Sequence, residues 1–239
     1  MVLPKIATPS YTLEIPSLKK EIKYRPFLVK EEKILIIAME SEDSKQIAEA
    51  VKTVISNCIL SKGIKVEQLA TFDIEYLFLN IRGKSVGEAV DVLITCPDDE
   101  KTQVPVSINL DDIEINIDEN HSRDINLDDN LTLRMKYPSM KEFVKTNFGN
   151  DFNISVDETF DLIISCIEQV YSEEESWSAV DCTKKELSEF IEQLTSTQFK
   201  QIEKFFETMP KLSHTIKVKN PNTEVESEVL LEGLSSFFA

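Results

Sequence analysis

Apolar residues recur along this chain with two different periods, and the changes of period mark its elements. Tyr11–Ile15 (YTLEI) and Glu21 to Phe27 alternate apolar and polar positions on either side of PSLKK, the pattern of a β-hairpin. Pro26 sets the exit from the hairpin, and Val29 to Met39 runs on as a helix rich in paired charges. Asp43 and Gln46 have the spacing of a capping box. The helix that follows carries Ile47, Val51, Val54, Ile55, Cys58 and Ile59 on a single stripe, and Gly63 is its expected stop. A third helix over about Phe72 to Arg82 is apolar on most sides, so it must be buried or docked on a partner.

From Val90 the period shortens. Asp91 to Cys96, Val104 to Ile108, Ile113 to Ile117 and Leu131 to Met135 are short, β-branched and alternating, with acidic turns between them. Pro138 closes this stretch, and PSMKEFVKTNF returns to helical spacing. Phe160, Ile163, Ile164, Ile167, Val170 and Tyr171 read as one helical stripe. Thr183 with Glu186 and Thr195 with Gln198 are two further capping boxes. They open helices with stripes at Leu187, Phe190, Ile191, Leu194 and at Phe199, Ile202, Phe205, Phe206. A hairpin turning at Asn220-Pro221-Asn222 comes next, and then Leu234, Phe237 and Phe238, expected to pack on the chain's own helical region. The fold class is α+β: helical regions flank a small antiparallel β-rich insert, with N- and C-terminal β-hairpins. The expected divisions are 1–88 (hairpin and three helices), 89–138 (β-rich insert) and 139–239 (acidic helical region with hairpin and apolar tail).

Composition changes this picture in one respect. The 239 residues are 41% hydrophobic and 29% charged, ordinary values for a globular protein, but the net charge is −17. It is unevenly spread: +2 over residues 1–84, −8 over 85–150 and −11 over 151–239. Such a field repels nucleic acid and anionic lipid and steers the chain toward basic partners. No stretch approaches the roughly 20 apolar residues of a membrane span, and MVLPKIATPS has no secretory h-region. Cys58, Cys96, Cys166 and Cys182 are widely and unevenly spaced, so they read as free thiols of a cytoplasmic protein.

Candidate chemistry is sparse. His121 and His214 are the two histidines, and no hydrolase, zinc-protease or dinucleotide-binding motif accompanies them. RGKS at Arg82 to Ser85 resembles the end of a phosphate-binding loop, but Phe78 stands where the upstream glycine belongs. Cys96-Pro97 occupies the place of a zinc knuckle, yet Asp98, Asp99 and Glu100 follow where the second thiol would be. Glu173 to Glu175 reads as a solvated face. No catalytic residue, metal or cofactor is expected.

Four stretches carry a resemblance: YRPFLVKEEKILIIAMES (Tyr24 to Ser41), FDIEYLFLNIRGKSVGE (Phe72 to Glu88), LRMKYPS (Leu133 to Ser139) and GLSSFF (Gly233 to Phe238). Their wording and order resemble the baseplate hub and hub-assembly proteins of T-even-like contractile-tailed phages. The resemblance implies a non-enzymatic role in building the central hub, within the cytoplasm of an infected host cell. It implies other hub proteins or the tape-measure protein as partners, and neither nucleic acid nor membrane. It also implies paired cysteines at the two hairpins, which this chain lacks, so no metal-dependent feature is carried over. Expected contact residues are Tyr24, Arg25, Pro26 and Phe27, as a rigid exposed turn, with Tyr76 and Phe78 as aromatic anchors. A second function class is an acidic decoy that mimics nucleic acid and occupies a basic host protein, motivated by the charge of residues 85–239.

Overall fold

The computed structural model describes residues 6–41, 43–140, 155–233 and 236. The described residues of Met1–Asn116, Ser139–Gly149 and Lys211–Ala239 form one compact unit, and those of Ile117–Pro138 and Asn150–Pro210 form a second. The helical spacing of PSMKEFVKTNF beyond Met140, and the tail residues Leu234, Phe237 and Phe238, lie outside the described residues.

The first unit opens with the expected hairpin, β1 (Tyr11–Ile15) antiparallel to β2 (Lys20–Tyr24), with Tyr11 opposite Tyr24. Three helices follow: α1 (Val29–Glu40), α2 (Ser44–Cys58) and α3 (Thr71–Val86). The α2 stripe is buried as its spacing requires, and the Asp43 side chain accepts from the Lys45 N–H at its start. The helix ends at Cys58, well before Gly63. Ile59 leaves helical geometry to form a β-bridge with Tyr24, and that pairing captures the chain first.

α3 is the centre of the unit. Ile74, Leu77, Leu79 and Ile81 are essentially fully buried in the unit's own core, while Tyr76 and Phe78 are half-buried and Val86 is exposed. Gly83 lets Leu110 approach to 3.3 Å of where a Cβ would stand, and Gly87, at φ +146°, stops the helix. Asp73, in the first turn of α3, is also buried; its carboxylate accepts from the backbone N–H and hydroxyl of Ser17 in the β1–β2 turn.

The strands read from the sequence are present, but they divide among different sheets. β3 (Ala89–Thr95) pairs with β4 (Gln103–Asn109) as a two-stranded hairpin. β5 (Glu114–Asn116) joins the late hairpin of β10 (Lys211–Lys219) and β11 (Glu226–Glu232), in the order β11-β10-β5. The second unit holds the four-stranded antiparallel sheet β6-β7-β8-β9, from β6 (Asp124–Asn126), β7 (Thr132–Met135), β8 (Ile167–Tyr171) and β9 (Ser176–Ser178).

The second unit's helices are α4 (Val156–Ser165), α5 (Lys184–Glu192) and α6 (Ser196–Thr208). Both expected capping boxes form, at Thr183 with Glu186 and at Thr195 with Gln198. The stripe expected from Phe160 to Tyr171 is broken in two. α4 ends at Ser165, and Ile167 and Val170 belong to β8, paired to Met135 and Leu133. Ile and Val suit a pleated ladder, and the buried neighbour β7 outweighs the helical spacing. The core of this unit is built on Leu133, Met135, Ile167, Ile191, Ile202 and Phe205.

Candidate contact surfaces

The segment from Tyr24 to Phe27 is a junction of elements. Tyr24 ends β2, is 1% exposed, and bridges to Ile59. The Arg25 N–H donates to the Cys58 carbonyl at 2.9 Å, and the Leu60 N–H donates to Lys23 at 2.8 Å, so the end of α2 is sewn to β2. The Arg25 guanidinium reaches both carboxylate oxygens of Glu31, at 3.0 and 3.4 Å, and the Pro26 carbonyl at 2.9 Å.

Glu31 has a fully buried side chain in the first turn of α1, where it also accepts from the Leu28 N–H at 2.9 Å and pairs with Lys30 at 3.2 Å. Burial pushes its carboxyl up, but the hydrogen bonds from Arg25, Leu28 and Lys30 outweigh burial and hold it below the ordinary carboxylate range. The Phe27 N–H donates to Ser85 Oγ at 2.9 Å, and Ser85 in turn donates to the Ile81 carbonyl. The RGKS stretch is thus the last turn of α3, with Lys84 paired to Glu88 and Asp111.

The sequence predicts a rigid exposed turn here, and the structure has neither turn nor exposure. Tyr24 and Pro26 are buried and Arg25 and Phe27 half-buried, with Tyr24 held by Ile59, Arg25 by Cys58 and Glu31, and Phe27 by Ser85. The four residues share one network. Tyr76 and Phe78 stand about two helical turns before Ser85 on α3, half-buried against the same core. Cys58, beside Arg25, is wholly buried, and burial pushes its thiol up to about 11, so it is held as an inert thiol.

The junction presents α1 to solvent in an unusual way. Glu31, Leu35 and Ala38 form its inner side. Outside, Val29 is 79% exposed, Ile36 51%, Ile37 54% and Met39 57%. Phe27, Leu28 and Val29, with Lys30, Glu32 and Val86, line an open groove at the helix start. In the sequence the paired charges of this helix stand out first. The signal was nonetheless present: ILIIAM leaves no polar side wide enough for solvent, the same argument that flagged α3.

The second unit departs from the ordinary in charge. Its two chain stretches hold 19 Asp and Glu against 7 Lys and Arg, a net charge of −12 out of the chain's −17. Between α4, α5 and α6 runs an open groove floored by Phe160, Ile191, Leu194 and Phe199 and flanked by Glu192, Glu203 and Lys200. The Phe160 and Phe199 rings stack at 5.6 Å. His121 in this unit is engaged at both ring nitrogens, 3.0 Å from Thr208 Oγ1 and 3.0 Å from the Tyr137 hydroxyl, and lies against the Phe205 ring. Burial pushes its imidazole pKa down.

The two hairpin tips of the first unit meet beside Cys96-Pro97. Asp98 accepts from the Asn220 amide, at 3.0 Å to each oxygen, and from Thr223 Oγ1 at 2.5 Å, while Asn222 donates to Thr102 Oγ1 at 2.9 Å. A carboxylate–amide latch thus ties the β3–β4 turn to the β10–β11 turn. Among the described residues, no group of His, Cys, Asp and Glu is arranged to hold a metal, and no helix is long and apolar enough to cross a membrane.

The chain matches no curated protein and no solved structure. Residues 8–239, nearly its whole length, do match one family, and by that match the chain belongs to the T4 bacteriophage base plate protein family.

Proposed function

We propose that this chain is a non-enzymatic hub component or hub-assembly chaperone of the phage tail baseplate, acting by binding other hub subunits or the tape-measure protein. The observation that carries the reading is the family match over residues 8–239. The finer step is supported by the second unit, where an apolar groove lies within a surface of net charge −12. Such a surface attracts a partner segment with basic and apolar faces, the charge bringing it near and the groove retaining it. Tyr24, Arg25, Pro26 and Phe27 serve in this reading by fixing the N-terminus of α1, with Phe27 reaching its groove, and Tyr76 and Phe78 by their half-exposed edges.

Co-expression with the other baseplate proteins of the same phage, followed by size-exclusion chromatography, tests the proposal. Co-elution with a hub or tape-measure protein is expected, and it should weaken when Glu192 and Glu203 are both changed to Lys. Failure to co-elute with any of them would overturn the proposal.

A further inference from the structure

The exposed side of α1 has the arrangement of a self-complementary surface. The outermost positions, opposite Glu31, Leu35 and Ala38 on the helix wheel, are Val29, Lys33, Ile36, Ile37 and Glu40, at the i, i+4, i+7, i+8 and i+11 spacing of one face. The two isoleucines stand at the middle. Lys33 lies three residues before Ile36, and Glu40 three residues after Ile37. Neither Lys33 nor Glu40 enters an ion pair among the described residues.

A surface with this symmetry matches a copy of itself turned end for end. In a two-fold arrangement the same patch serves both partners, and residue i meets j of the copy while j meets i. With α1 antiparallel to its copy and centred between Ile36 and Ile37, Lys33 falls opposite the partner's Glu40 and Ile36 opposite the partner's Ile37. Antiparallel helices also set the positive end of each macrodipole beside the negative end of the other. We propose that the chain pairs with a second copy through α1, in this antiparallel register.

The contact is small. A 12-residue helix is about 18 Å long, and one helix pair covers less than the ~1,200–2,000 Å² of a stable interface. The pairing is therefore weak and concentration-dependent, driven by the isoleucines and given its register by the charges.

Sedimentation or light-scattering mass of the purified full-length chain, measured over a wide range of concentration, tests this. The mass should rise from the 27.3 kDa of one chain toward twice that value. Ile37→Lys should hold it at the monomer value, with an unchanged circular dichroism spectrum because the position is solvent-exposed. Lys33→Glu alone and Glu40→Lys alone should each weaken pairing several-fold. Lys33→Glu combined with Glu40→Lys should restore it, since each reversed charge again faces its opposite. A chain that stays monomeric at every concentration overturns the proposal, as does a dimer indifferent to Ile37→Lys or a double reversal that does not restore pairing. A monomer that binds another baseplate protein through α1 also overturns it and assigns the face to that partner. The proposal uses the purified chain alone, so its failure leaves the hub reading to be judged by co-elution.

Discussion

Replacing Glu31 by Ala should be the most damaging single change at the junction. The Glu31 side chain is fully buried and that of Arg25 is 14% exposed, so the substitution strands a nearly buried guanidinium and removes the acceptor of the Leu28 N–H. Removing one member of a buried pair costs about 3–5 kcal/mol. Arg25 retains some access to water, which places the cost near the lower end, about 3 kcal/mol. At ~2–4 °C per kcal/mol for a chain of this size, the melting temperature should fall by roughly 6–12 °C.

Urea or thermal unfolding followed by far-ultraviolet circular dichroism reads the loss. Trp177, the single tryptophan, belongs to the second unit and reports that unit separately by fluorescence. The double replacement Arg25→Met with Glu31→Leu leaves no stranded charge and should cost much less than the two single changes added together. Acid supplies an independent check. Glu31 is held below the ordinary carboxylate range, so its contribution is present above the unfolded value of about 4.3 and is lost as pH falls below it. Glu31→Gln should flatten that part of the stability profile. A loss under about 1 kcal/mol for Glu31→Ala, or a double mutant equal to the sum of its singles, would refute the clamp.

Other consequences are as direct. Asp98→Ala leaves the Asn220 amide, 1% exposed, without its acceptor, and should cost about 1–3 kcal/mol by urea titration; adding a chelator to the native protein should leave its melting curve unchanged. Thr195→Ala removes the cap of α6 and should cost about 1 kcal/mol, read by Trp177 fluorescence, with Thr195→Asn close to neutral. His121 has its pKa pushed down by burial, so its contribution is present above the unfolded value of about 6.5 and is lost as pH falls below it. The second unit should therefore become less stable as pH falls from 7 toward 5, and His121→Phe should remove that dependence.

What could be read from the sequence was what depends on near neighbours. The α2 stripe, the boxes at Thr183 and Thr195, and the turns of the β1–β2 and β10–β11 hairpins are set within a few residues of themselves, and each is found where the pattern puts it. Partnerships across the chain could not be read. β5 pairs with β10, about a hundred residues on, and nothing in IEINI distinguishes that from pairing with β4. The same limit broke the Phe160 to Tyr171 stripe, whose second half was claimed by β7.

The contact surfaces divide in the same way. Apolar content alone treats α1 and α3 alike, and only the packed unit shows that Ile74, Leu77, Leu79 and Ile81 of α3 are buried while α1 keeps Ile36 and Ile37 outside. Tyr24 was expected on an exposed turn because Ile59, which bridges to it, approaches from elsewhere in the chain; Pro26 beside it is buried as well. The acid of the late segments was visible in composition. Its concentration on one unit, to a net charge of −12, required knowing that Ile117–Pro138 joins Asn150–Pro210.

A chain that serves baseplate assembly through contact with other subunits is needed for tails to form. Its gene should be deleted from the phage and the tail structures in infected-cell extracts imaged by electron microscopy. Complete baseplates and tails should be lost, and should return when the intact chain is supplied in trans. Normal tails assembled in its absence would contradict a role in assembly.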